Sequence, residues 1–205
     1  MAGMFRPAIL AFTRPNWGAS NGLEYLRPAR YADLELLART GREDPVRAFF
    51  LDFRGDLDPA PFSRLRGAFR EELLRGSSSR LLVVRAASSP LPEAFFLVSF
   101  FEGIEGDCFL KALPCMENLE TKALLDGLKE LLNYIFLSRN RHRAMAQFLG
   151  CEEPMLGLFE KLGFIQEGRR REEVYARGRF YDVIPLSMVK SNFLAQRKTA
   201  RIPRL

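Results

Sequence analysis

Apolar and polar positions follow two different periods along this chain, and the switches between them mark its elements. Leu23 to Arg27 alternates apolar and polar, which predicts a half-buried strand ended by Pro28. Asp33 is placed to cap a short helix carrying Leu34, Leu36 and Leu37. A loop rich in Asp, Gly and Pro follows from Gly41 to Pro61. Phe62, Leu65, Phe69 and Leu73 then recur at helical spacing, with Pro61 in the first turn and Gly76 after the last. Three apolar runs come next and predict strands at 81–86, 94–102 and 107–113. Ser88-Ser89-Pro90 separates the first two, and Gly103 and Gly106 separate the second from the third. Connections this short make the three strands an antiparallel meander.

The longest helical stripe follows. Leu124, Leu128, Leu131, Leu132 and Ile135 share one face of a helix predicted over 119–137, with Asn118 as its N-cap. A strand is predicted over 143–149. Pro154 then opens a short helix that buries Met155, Leu158, Phe159 and Leu162, and Gly163 closes it. The last element starts at Phe164-Ile165, turns at Ala176 to Arg179 and returns through Phe180 to Met188. Strands and helices alternate without repeats or a linker, so the pattern predicts one α/β domain over 23–189.

Composition narrows the class. The 205 residues are 47% hydrophobic and 27% charged, which suits a globular domain with a sizeable core. No apolar run approaches the roughly 18 residues of a membrane span. The net charge of +6 is unevenly placed. Lys190, Arg197, Lys198, Arg201 and Arg204 lie in 190–205 beside no acid, so the body is almost neutral. That stretch reads as a solvated basic tail that contributes little to folding, with Phe193, Leu194 and Ile202 as its only anchors. It suits an acidic protein partner better than nucleic acid, because the body has no basic face of its own. Residues 1–22 read as an irregular leader broken by Pro7 and Pro15. Cys108, Cys115 and Cys151 form no CxxC pair and His142 is the only histidine, which argues against a zinc site and a Ser-His-Asp triad. No metal is expected. Reduced cysteines point to the cytoplasm.

The closing residues carry a resemblance. Leu158-Phe159-Glu160-Lys161-Leu162-Gly163-Phe164, then Glu167-Gly168-Arg169, then Gly178-Arg179-Phe180-Tyr181-Asp182, resemble the pattern that ends the GNAT N-acetyltransferases acting on ribosomal-protein N-termini and polyamines. Tyr134-Ile135-Phe136 with His142-Arg143, and Leu26-Arg27-Pro28-Ala29 with Asp33, are similar to that branch's helix-to-strand passage and its opening. The resemblance spans about 23–189. It implies a mixed, largely antiparallel sheet flanked by helices, and acyl transfer from a thioester such as acetyl-CoA to an amine.

It also implies a donor site at the start of the long helix, where glycines let backbone N–H groups approach a pyrophosphate. The matching positions here are Glu117, Glu120 and Lys122, so the glycines and the leading basic residue are replaced. By resemblance the donor site comprises Leu113, Glu117, Asn118, Leu119, Glu120, Thr121, Lys122, Glu153 and Phe159. Glu153 stands where the family commonly has Asn, and Phe159 where it often has a Tyr that protonates the departing thiolate. The family often takes a general base from the end of the second meander strand, which makes Glu102 and Glu105 the candidates. Each residue also has a plainer reading. Acids suit the first turn of a helix, Phe159 suits a core, and Glu102 and Glu105 suit a solvated turn. His142 between two arginines suits the surface, and Arg169-Arg170-Arg171 suits ion pairs with acids across its hairpin. Two functions follow: an N-acyltransferase with an altered donor site, served by acyl-CoA or an acyl carrier, or an inactive GNAT-fold binding protein that uses its groove or basic tail.

Overall fold

Alternation and helical stripes become a mixed sheet with helices against it in the computed structural model, which describes residues 26–30, 32–33, 79–86, 89, 91–101, 106–116, 118–176 and 178–199. The strands are β1 (Leu26–Pro28), β2 (Ser79–Val84), β3 (Ala94–Phe100), β4 (Asp107–Pro114), β5 (Arg143–Leu149), β6 (Ile165–Gln166), β7 (Arg170–Ala176) and β8 (Arg179–Val189). The described helices are α1 (Lys122–Asn133), α2 (Glu153–Lys161) and α3 (Lys190–Thr199). The sheet order is β1-β2-β3-β4-β5-β8-β6, with β7 also paired to β8. β2, β3 and β4 form the expected antiparallel meander. β4 and β5 are parallel. The result is the mixed, largely antiparallel sheet flanked by helices that the resemblance implied.

Period-2 patterning explains the core. Leu82, Val84, Phe96, Val98, Leu110, Ala144, Ala146 and Phe148 point to one face and pack with Leu124, Leu128, Leu131 and Ile135 of the long helix and Met155, Leu158 and Phe159 of α2. Leu81, Val83, Phe95 and Leu113 are buried on the other face. α1 packs tightly on the sheet at Gly127, where an added Cβ would sit 2.6 Å from Val84 Cγ2.

Several local expectations shift. The long helix begins at Lys122 rather than 119, because Thr121 and not Asn118 is its N-cap: Thr121 Oγ1 accepts from Leu124 N at 3.1 Å. Asn118 instead accepts from Glu120 N at 3.0 Å in a local turn. At its far end the helix widens into a π-turn over Tyr134–Ser138, closed by Arg139 N–H donating to Tyr134 O at 2.9 Å. Asp33 does not cap from outside a helix. It reaches back to Arg30 N at 2.6 Å and to the Arg27 guanidinium at 2.7 and 2.9 Å. β2 is placed two residues earlier than 81–86. The strand expected to start at Phe164-Ile165 is interrupted at 167–169 and becomes β6 and β7, and within β7 the register with β8 shifts between Arg170 and Val174, where Glu172 has φ 53°. Arg169 pairs with Asp182 across the hairpin, while Arg170 pairs with Glu173 within its own strand.

The start of 190–205 is not a frayed tail. Residues 190–199 form α3, and Phe193, 6% exposed, stacks on Phe136 with ring centres 4.9 Å apart. The predicted helix over 62–73, the loop 41–61, the leader 1–22 and residues 200–205 lie outside the described residues. Among the described residues, no helix is long and apolar enough to cross a membrane.

Candidate functional site: a cleft where two parallel strands part

β4 and β5 pair only from Asp107/Arg143 to Leu110/Ala146. β4 nevertheless runs on to Pro114 and β5 to Leu149, each still paired on its outer side, to β3 and β8. Beyond residue 110 the two strands therefore part, and the facing backbone groups of 111–114 and 147–149 leave the ladder. Gly150 N–H donates to Asp182 O at 2.8 Å on the β8 side. By strand alternation Leu149 N–H faces the β4 side. It is met there by Glu152, whose buried carboxylate accepts it at 2.6 Å.

The chain leaving β4 leads into α1 and the chain leaving β5 leads into α2, and a cleft lies between the segment before α1 and the turns of α2. Asn118, Leu119, Glu120, Glu153, Pro154, Gly157, Leu158 and Lys161 line this cleft of about 370 Å³. Four of the residues named from sequence are thus brought together: Asn118, Leu119, Glu120 and Glu153. Gly157 keeps the wall low, since an added Cβ would meet nothing within 4 Å. Leu113 lies buried near the end of β4 and faces away from this core. Thr121 is committed to capping α1 and to a short hydrogen bond donated to the buried carboxylate of Glu93. Lys122 opens α1 and is exposed. Phe159 is fully buried between Phe148 and Phe164, with ring centres 4.8 and 4.9 Å away, and is not part of the cleft lining. Glu102, Glu105 and Glu117 lie outside the described residues.

The charge at the mouth differs from what the sequence suggested. Glu120 accepts a hydrogen bond from Lys161 Nζ at 2.8 Å, across the cleft. That bond, and then the charge of the same lysine, hold the Glu120 carboxyl below its usual range. Glu120 is therefore one half of a neutral pair. Sequence reasoning missed Lys161 and Glu152. Lys161 belongs to the Glu160-Lys161-Leu162-Gly163-Phe164 run, but nothing in the run points to a partner 41 residues away.

Other reactive groups are quiet. Burial pushes the Cys108 thiol up to about 12, which keeps it protonated. His142 is exposed, as expected. Among the described residues no group of three or more His, Cys, Asp and Glu is placed to hold a metal ion.

No protein-family model matches the chain. An uncharacterized N-acetyltransferase, YokL, derived from the SPbeta prophage of Bacillus subtilis (strain 168), is 30% identical over 98 residues. That match spans 48% of this chain and 48% of YokL, about half the length of the curated relative. The fold is similar to that of the spermidine N-acetyltransferase of Vibrio cholerae, solved in complex with CoA and spermine, with a TM-score of 0.68 at 18% identity over 82% of this chain and 96% of that one. A dodecameric structure of the same enzyme in an intermediate state gives a TM-score of 0.65 at 18% identity, over 83% of this chain and 96% of that one.

Proposed function

From the premise that this chain has the GNAT N-acetyltransferase fold, in the form it shares with spermidine N-acetyltransferases, we propose that it is an N-acyltransferase that draws an acyl thioester into the parting of β4 and β5. The observation that carries this reading is the end of β4–β5 pairing at Leu110/Ala146 while both strands continue. A slender chain fits such a gap, and backbone N–H groups released from a ladder are ready donors to its polar atoms.

The fit is good for the arm of a donor and poor for a diphosphate. Leu119, Pro154, Gly157 and Leu158 give the cleft an apolar wall with room beside Gly157. The phosphate end meets Glu120, Glu153 and Lys161 rather than a glycine-rich turn. The donor supplies a thioester carbonyl. Strand N–H groups that face the gap polarise that carbonyl as an amine attacks it. A base takes the amine's proton, and Glu102 and Glu105 remain the candidates. Phe159 has no proton to give, so the sulfur leaves as thiolate. Free thiols have a pKa of about 8.5, which makes that departure possible near neutrality without an acid.

The test is release of free thiol from acetyl thioesters when the purified protein is given spermidine or an amine-terminated peptide. Release should depend on the amine and should fall at least about tenfold in Gly157→Leu, which fills the cleft. Absence of any thioester binding and of any amine-dependent release would sink the reading. A second reading, a GNAT-fold binding protein without catalysis, is favoured by Phe159 alone. It expects the thioester to bind and no thiol to appear.

A further inference from the structure

The cleft has an uneven charge. Its described lining holds two acids, Glu120 and Glu153, and one cation, Lys161. Lys161 stands in the last turn of α2 and Glu120 just before α1, so their ion pair bridges the two walls of the mouth. Both side chains are more than 70% exposed. An exposed pair of this kind is weakly held, because water solvates both ions well and two long side chains lose freedom in making it. An incoming phosphate at the mouth can therefore take the place of the Glu120 carboxylate on Lys161. Only one such exchange is available, and each further phosphate would meet Glu153 and the released Glu120 without a cation from the lining.

We propose that Lys161 is the residue that reads the donor's phosphate, by exchanging Glu120 for it, and that the site selects a pantetheine thioester carrying a single phosphate over one carrying the several phosphates of coenzyme A. The inference rests on the acyltransferase reading above. It adds the class of donor and the residue that discriminates it. Glu120 then serves as a placeholder that keeps Lys161 extended across the mouth while no donor is bound. Replacing it with a neutral residue frees the cation and removes a repulsive charge together.

The experiment compares acetyl-pantetheine, acetyl-4′-phosphopantetheine and acetyl-CoA by calorimetry and by amine-dependent thiol release. Wild type, Lys161→Ala and Glu120→Gln are each checked for an unchanged melting temperature. The expected result is that one phosphate improves binding about tenfold over none, and that acetyl-CoA binds several-fold more weakly than acetyl-4′-phosphopantetheine. Lys161→Ala should erase the tenfold advantage, read as the ratio of acetyl-4′-phosphopantetheine to acetyl-pantetheine within the variant. Glu120→Gln should raise that same ratio above the wild-type value. A phosphate advantage that survives Lys161→Ala, or acetyl-CoA binding as tightly as acetyl-phosphopantetheine or more tightly, overturns the inference and leaves the acyltransferase reading standing. If none of the three donors binds the wild type, the acyltransferase reading itself has failed. The same arm on an acidic acyl carrier protein separates the two sources of that chemistry. A gain on the carrier that is lost when Lys198, Arg201 and Arg204 are neutralised identifies the carrier as donor, and equal values identify the free arm. Either result supports selection of a single phosphate.

Discussion

Gly127 shows how little room separates α1 from the sheet. A methyl group there would meet Val84 Cγ2 at 2.6 Å and Cγ1 at 3.0 Å, and Val84 is fully buried with a stiff, branched side chain. Two effects oppose each other in Gly127→Ala. Alanine favours the helix by about 1 kcal/mol, while overpacking a core costs about 1–3 kcal/mol. Overpacking should win, for a net loss of about 1 kcal/mol, or about 2–4 °C in a domain of this size. A thermal melt checks this, and a higher Tm in the variant would mean that Val84 can give way. Most residues of this kind are legible from sequence as core positions, because burial follows the period: the stripe from Leu124 to Ile135 is buried throughout. What was not legible is which distant side chains meet. Glu120 looked like an uncompensated acid because its partner lies 41 positions away on α2, and Thr121 fell inside the helix predicted over 119–137, where nothing nearby in sequence showed its hydrogen bond to Glu93, 28 positions away.

At the scale of elements, the two-residue strand β6 is too short to hold itself to the sheet by its ladder alone. Its fastening comes from Glu167, just beyond it, whose carboxylate accepts from Ser187 Oγ on β8 at 2.7 Å and from Arg143 on β5 at 2.5 and 2.6 Å. The Ser187 hydrogen bond, and after it Arg143, hold the Glu167 carboxyl below its usual value despite some opposing burial. The folded pKa is depressed, so the stabilisation is fully present above the ordinary glutamate value of about 4.3. It is lost as pH falls through the lowered folded value. Urea midpoints between pH 6 and pH 3 should therefore fall less steeply in Ser187→Ala, and least in Glu167→Gln. An acid loss in Glu167→Gln equal to wild type would remove Glu167 from this role. Sequence gave little notice of this arrangement. The strands at 94–100, 107–114 and 143–149 fall close to where alternation put them, but the register shift around Glu172 comes with a positive φ that no residue type there demands. The helix start moved from 119 to 122 because Asn118 and Thr121 are both good caps, and only packing chooses between them.

For the molecule as a whole, the main revision concerns the basic end. Read by charge, 190–205 is a tail; read by contact, its first ten residues extend the body. Phe193 carries the difference. It is almost fully buried, it stacks on Phe136 at an interplanar angle of 26°, and Phe136 belongs to the π-turn that ends the long helix. Two positions further on, Ala195 precedes Gln196, whose amide lies directly over Gly163. A Cβ at 163 would come within 1.8 Å of Gln196 Nε2, so the αL glycine that closes α2 also makes the seat for α3. Charge arithmetic misses such docking because one aromatic among eight polar or small neighbours leaves a weak amphipathic signal. The consequence is measurable. Replacing a buried phenylalanine by alanine typically costs about 3–5 kcal/mol, and Phe193→Ala should reach about 3 kcal/mol because Phe193 lies at the edge of the core. Phe193→Ala and truncation after 189 should lower the melting temperature by similar amounts, while neutralising Arg197 should leave it nearly unchanged. Hydrogen exchange gives the independent reading: amides of the π-turn at Tyr134–Ser138 should lose protection in Phe193→Ala along with those of α3. If only α3 loses protection and the melting temperature holds, α3 is a local appendage, and the body folds without it.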